Sequence, residues 1–149
     1  MVEINGKAFF ALIARLVLAW VFIQAGLPKI QDPVAFAASI EGYRIISGGW
    51  AMAAAIVLPW FELIIGLGLI TPWLRRASAW SMAFLLGLFI ALHISAWARG
   101  LNIDCGCFGE DASSPDYHWL ILRNLALLIA SLFVLHIAQR NKNTPESSL

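Results

Sequence analysis

The sequence predicts an all-α membrane protein, a bundle of four transmembrane helices with a short interfacial helix after the first. Hydrophobic residues make up 60% of the 149 and charged residues 13%, a balance far from that of a soluble domain. The apolar residues gather in four runs, 8–26, 50–70, 77–98 and 119–138, nearly free of charge. Each approaches the roughly 20 residues that cross a hydrocarbon core of about 30 Å at 1.5 Å per residue. Residues 1–138 therefore read as one transmembrane domain. The polar stretch 139–149, with Asn141, Asn143 and Pro145, reads as a disordered cytoplasmic tail.

The first run follows Lys7 and has small residues, Ala25 and Gly26, at its end, as a cleaved leader would. Arg15 interrupts it and no A-x-A site precedes a mature domain, so it is expected to stay as a helix. Its end is expected before Gly26-Leu27-Pro28-Lys29. Asp32-Pro33 then opens a segment, 34–46, in which Phe36, Ile40, Tyr43 and Ile46 recur at helical spacing. That pattern suits a short amphipathic helix in the interface, a flap over the neighbouring loop or simply a cover for the bundle.

The second run contains Pro59, which removes the hydrogen bond to the Ala55 carbonyl. Glu62 follows one turn later, Thr71-Pro72-Trp73 closes the run, and Arg75-Arg76 opens the third. Trp50, Trp73, Trp80, Trp97 and Trp119 sit near the ends of runs, where aromatic rings anchor helices at the headgroups.

Charge sets the orientation. Lys7, Arg75, Arg76, Arg140 and Lys142 share one side, whereas Lys29, Arg44 and Arg99 on the other are diluted by acidic residues. By the positive-inside rule both termini are cytoplasmic. The loop after the third run then faces a bacterial periplasm, where disulfides persist. Formal net charge is +1, and no Arg-rich or aromatic-interleaved stretch points to nucleic acid.

An ionisable side chain in hydrocarbon costs about 2.5–3.5 kcal/mol even on the lenient insertion scale, so each one needs a partner or a purpose. Arg15 and Glu62 lie at similar distances from the cytoplasmic ends of adjacent antiparallel runs. They are expected to form a structural ion pair; a proton relay is the alternative. Near the opposite face fall His93, Gln24, Arg123 and Asn124, on the same side as the sequence Asp104-Cys105-Gly106-Cys107-Phe108-Gly109.

Cys105 and Cys107 are the two cysteines of the chain. A bridge between them would close a small, compressed ring, and strain makes a disulfide easier to reduce. It would staple no distant segments, which favours redox exchange over a structural role. Two thiolates can also hold Cu(I) or contribute to a zinc site, for which Cys105 and Cys107 are the alternative metal ligands. Arg99 or Arg123 would favour a thiolate by charge.

Running from Arg15-Leu16-Val17-Leu18-Ala19-Trp20 through Pro28-Lys29 and Asp32-Pro33, then Leu58-Pro59-Trp60-Phe61-Glu62-Leu63, Arg99-Gly100-Leu101, the Cys-Gly-Cys-Phe-Gly loop and Arg123-Asn124, the chain resembles the MauE branch of the DoxX-like membrane proteins. The resemblance implies a four-helix inner-membrane protein tied to periplasmic redox chemistry: maturation of a disulfide-rich dehydrogenase subunit for MauE, quinone-coupled thiosulfate oxidation for DoxX. The chain also broadly resembles vitamin K epoxide reductase-type enzymes, but has no Cys-x-x-Cys and no second cysteine pair to relay electrons. Two functions follow. In one, Cys105 and Cys107 exchange with a periplasmic thioredoxin-like protein or a redox-protein client, with quinone as electron carrier and His93 and Arg123 at its polar head. In the other, the chain is a non-catalytic accessory or maturation subunit of a larger membrane respiratory or dehydrogenase complex, with metal handling by the two thiolates as a variant of that role.

Overall fold

The computed structural model describes residues 6–101 and 117–140. Five helices follow one another: α1 (Gly6–Gln31), α2 (Pro33–Gly42), α3 (Gly49–Ile70), α4 (Arg75–Ala98) and α5 (Tyr117–Arg140). All but α2 are long and apolar enough to span a membrane, over Phe9–Gln31, Gly49–Ile70, Arg75–Ala98 and Tyr117–Ile137. The expected fold class is therefore the observed one. Of the stretch 139–149, expected to be a disordered tail, Gln139 and Arg140 belong to α5, and 141–149 lie outside the described residues.

The long helices run up, down, up and down around a ring in which α1 touches α3 and α5, and α4 closes the circle against the same two. At the ring's centre Leu18 and Phe22 of α1 meet Ile65 and Leu69 of α3, Met82, Leu85 and Leu86 of α4, and Val134 and Leu135 of α5. The Ser131 hydroxyl donates to the Ala79 carbonyl at 3.1 Å, joining α5 to α4 without leaving a buried donor unmet. Outward faces carry Trp20, Ile64, Phe84 and Ile129, all exposed, while Glu62, Lys29, His93 and Asn124 are buried. Apolar outside and ionisable inside is the partition that a hydrocarbon solvent imposes. The five end-of-run tryptophans are exposed, Trp73 at 96%, as anchors at the headgroups are.

Small residues set the register of α1 on α3. A Cβ at Gly26 would lie 3.0 Å from the Pro59 carbonyl oxygen, and one at Gly66 would lie 3.2 Å from that of Ala19. At those two levels the helices approach so closely that an added Cβ would crowd the facing carbonyl oxygen. At Gly68 the Ser78 hydroxyl of α4 occupies the space a Cβ would need.

The first helix does not end before Gly26, as its Gly-Leu-Pro-Lys run suggested, but continues to Gln31 with Pro28 inside it. Proline breaks one bond to the preceding turn, yet Gly26 is already locked against α3, and the Pro28 carbonyl accepts the Asp32 N–H at 3.1 Å. Asp32 then caps α2, its carboxylate accepting the Ala35 N–H at 2.9 Å, with Pro33 in the first turn. The expected short helix over 34–46 thus exists as Pro33–Gly42. It lies on α3, where Phe36 and Ala37 pack on Ala55 beside Met52 and Leu58. Glu41 accepts the Gly48 N–H at 2.6 Å and closes the following turn, in which Gly48 takes φ 60°.

Candidate functional site

At the α2 end of the bundle the helices part around a cavity of about 440 Å³. Every helix contributes to its wall: Val21, Phe22, Ala25 and Lys29 from α1, Phe36, Ile40 and Tyr43 from α2 and its end, Ala54, Leu58, Phe61 and Glu62 from α3, Leu86, Phe89, Leu92 and His93 from α4, and Arg123, Asn124 and Leu127 from α5. The volume falls in the range of small-molecule sites, and an apolar lining with few convergent polar groups is their usual composition.

One pole is ionic. The Lys29 ammonium donates to both carboxylate oxygens of Glu62, at 2.8 and 2.9 Å, with each side chain 2% exposed. Helical side chains tilt toward their own N-terminus. On antiparallel α1 and α3 that tilt points Lys29 and Glu62 at each other, each one turn beyond the Gly26–Pro59 contact. The ammonium also sits 4.9 Å from the Phe36 ring centroid and 5.5 Å from that of Phe89, so its remaining surroundings are aromatic faces that favour a cation.

This replaces the expected Arg15–Glu62 pair. Arg15 is part-buried and its Nε donates to the Ala11 carbonyl at 3.3 Å, within its own helix. It lies near enough to Arg75, at the start of α4, for their charges to interact. The expectation failed because it took α1 to stop before Gly26 and measured depth from the inner ends of both runs. With α1 continued to Gln31 and Gly66 set against Ala19, Arg15 falls below the level of Glu62, and Lys29 becomes a helical residue facing it. The available signal was the matched spacing: Gly26 and Lys29, Pro59 and Glu62, each one turn apart on helices meant to touch.

The other pole is His93, 2% exposed on the cavity wall. Its Nδ1 lies 2.5 Å from the Phe89 carbonyl oxygen, one turn earlier. The Tyr43 ring stands edge-on to it with centroids 6.2 Å apart. Arg123 and Asn124 reach the same cavity from α5, so three of the four polar residues expected near this face do converge. Gln24 is the exception, lying outside the lining.

Above the cavity the helix ends are tied together. Arg99 donates to the Tyr43 carbonyl at 2.9 Å, joining the end of α4 to the end of α2. The Tyr117 hydroxyl donates to the Leu101 carbonyl, and the rings of Trp97 and His118 meet edge-on at 5.4 Å. These contacts hold together the two stems, Leu101 and Tyr117, from which residues 102–116 emerge. Cys105 and Cys107 themselves lie outside the described residues. Among the described residues no three His, Cys, Asp or Glu side chains come together to hold a metal ion.

Comparison with known families matches residues 7–137 to the model described as methylamine utilisation protein MauE. The chain belongs to the MauE family. Its curated relatives include the methylamine utilization protein MauE of Paracoccus denitrificans, 32% identical over 80% of this chain and 65% of that one. Those of Methylophilus methylotrophus and Methylorubrum extorquens are each 33% identical, over 83% and 78% of this chain and 66% and 63% of theirs. The chain thus spans somewhat less than two thirds of these MauE proteins. No solved structure matches it. The MauE match covers all four spans and the Cys-Gly-Cys loop between the last two, so family and architecture coincide over the whole site.

Proposed function

We propose that this protein is a maturation factor of the bacterial inner membrane, in which Cys105 and Cys107 exchange thiols with a periplasmic thioredoxin-like protein or redox-protein client and pass the electrons to membrane quinone. The observation that carries the reading is a cavity of about 440 Å³ walled by all five helices, directly beneath the stems of the cysteine loop. In the net step the two thiols lose two electrons and two protons and form one S–S bond, while quinone gains both and becomes quinol. The cavity's aromatic wall suits the ring, and Arg123 and Asn124 on α5 are donors suited to its carbonyl oxygens. The relatives are named methylamine utilization proteins, and a maturation role within such a system is in keeping with that name.

In nanodiscs containing a short-chain quinone, the reduced protein is expected to form one quinol per disulfide. His93→Ala should slow this reaction more than it slows exchange with a soluble dithiol, because the residue lies on the cavity wall. Absence of quinol would leave the other reading, a non-catalytic accessory subunit of a larger membrane complex whose cavity holds lipid.

Orientation follows from the Lys/Arg asymmetry, with both termini cytoplasmic and residues 102–116 periplasmic. A membrane-impermeant thiol reagent should therefore label the protein in intact spheroplasts after mild reduction. Labelling that required lysis would invert the topology and remove the oxidising compartment from the account.

A further inference from the structure

The cavity wall is not equally closed on all sides. Its lining residues on α1, α2 and α5 are buried or half-buried, whereas Val57 and Phe61 of α3, Leu88 of α4, and Ile45 and Ile46 ahead of α3 are exposed as well as lining. Residues that touch both the cavity and the outside mark its mouth. Val57 and Phe61 are one turn apart and share a face of α3, so the mouth is a gap between α3 and α4 with Ile45 and Ile46 at the edge nearest α2. The same two helices are held together at their other ends, where the turn 71–74 joins them and the Ser78 hydroxyl fills the space beside Gly68. Contact at one end and a cavity at the other give a gap that widens toward α2.

Depth decides what can use this gap. Val57, Phe61 and Leu88 lie about 12–18 Å from the α2-side ends of their helices at 1.5 Å per residue. That is near the middle of a hydrocarbon core of about 30 Å. All five rim residues are aliphatic or aromatic, which suits a rim bathed by lipid chains and not by water. Nearer the stems, Arg99 is bonded across to the Tyr43 carbonyl and Tyr117 to that of Leu101. A phospholipid keeps its headgroup at the surface, so at this depth it presents only the end of an acyl chain. A cavity of about 440 Å³ has the size of a small-molecule site and not of a whole long-chain lipid, so any long chain must remain in the gap.

We infer that the cavity is loaded sideways from the bilayer, through the α3–α4 gap, by a single-chain lipid whose compact apolar end lodges inside while its chain trails out between Val57, Phe61 and Leu88. The compact end passes Phe61 and comes to rest against Phe22, Leu58 and Phe89. The Lys29–Glu62 pair asks nothing of it, since its charges already satisfy each other. The inference rests on the redox reading only for the identity of that end, a quinone ring; the route does not depend on it.

The test uses a redox-inert probe, 2,5-dimethoxybenzene carrying a decyl chain with a diazirine midway along it, in nanodiscs containing the full chain. After irradiation, peptide mass spectrometry locates the insertions. They are expected at Val57, Phe61 or Leu88, and excess unlabelled decyl-dimethoxybenzene should displace them. Insertion confined to outward faces such as those of Trp20 and Ile129 overturns the route, and rim labelling that excess compound does not reduce overturns the site; neither comparison needs a variant to fold. A phospholipid with a diazirine at the end of one chain serves as the second probe. If it labels the rim as strongly and is not displaced by the dimethoxybenzene, an acyl chain is the occupant and the assignment to a single-chain lipid falls. The double variant Val57→Trp/Leu88→Trp, which sets indoles where the chain must lie, should lower displaceable labelling about tenfold, and Ile129→Trp on the outward face of α5 should leave it unchanged. Because the probe accepts no electrons from a thiol, displaceable labelling in a protein that makes no quinol keeps this route and removes the redox function. Quinol formation with labelling elsewhere does the reverse.

Discussion

Glu62→Ala is expected to destabilise the protein by about 3–5 kcal/mol, enough to deplete it from the membrane, because the substitution strands the Lys29 ammonium in a buried site. Lys29→Ala should do the same from the other side, leaving a carboxylate with neither water nor a cation. The loss comes from the orphaned charge more than from the bond. The double variant Lys29→Met/Glu62→Leu should therefore recover most of the stability that either single variant loses, since it removes both charges and keeps the volume. Arg15→Ala provides the contrast. Its guanidinium is part-buried, bonded to a backbone carbonyl of its own helix and near another arginine, so its removal should change stability by less than about 1 kcal/mol. Thermal unfolding of the detergent-solubilised variants checks the set. Equal damage from Arg15→Ala and Glu62→Ala would restore the pairing that depth along the sequence suggested.

Loss of function is the expected result for Cys105→Ser and for Cys107→Ser, each alone, with insertion and abundance unchanged. A dithiol with one thiol removed can form a mixed disulfide with a client but cannot release it by closing its own bridge. A single variant that keeps the attacking thiol should thus trap a partner that presents a disulfide, the partner's displaced sulfur leaving as thiolate, and the double variant should trap nothing. The measurement is the redox state of the client in cells carrying each variant, together with non-reducing electrophoresis for the trapped complex. Retention of full cellular function by both single variants would favour the accessory-subunit role.

The fold was legible because hydrocarbon writes plainly on a sequence: long apolar runs, tryptophans at their ends and a short arginine pair between two of them leave few alternatives. His93, Arg123 and Asn124 were legible for the same reason, since a polar residue in such a run stands out and its distance from the run's end gives its depth. Lys29 was not. It looked like a loop residue because Gly26 and Pro28 carry the signature of a helix end, and only the close approach of Gly26 to the Pro59 carbonyl shows that the glycine is there for packing. The register of one helix on another depends on such contacts, and hydropathy contains nothing about them. The cavity was invisible for a related reason, as Phe36, Phe61 and Phe89 read the same whether they fill a core or line a space.

The Cys105–Cys107 pair is expected to cycle between dithiol and disulfide at the expense of membrane quinone. Rapid acid trapping of thiols in intact cells, with and without quinone synthesis, measures that cycle directly. The pair is expected to be mostly oxidised in quinone-replete cells and to accumulate as dithiol when quinone is withdrawn. A redox state that does not respond to quinone would contradict it.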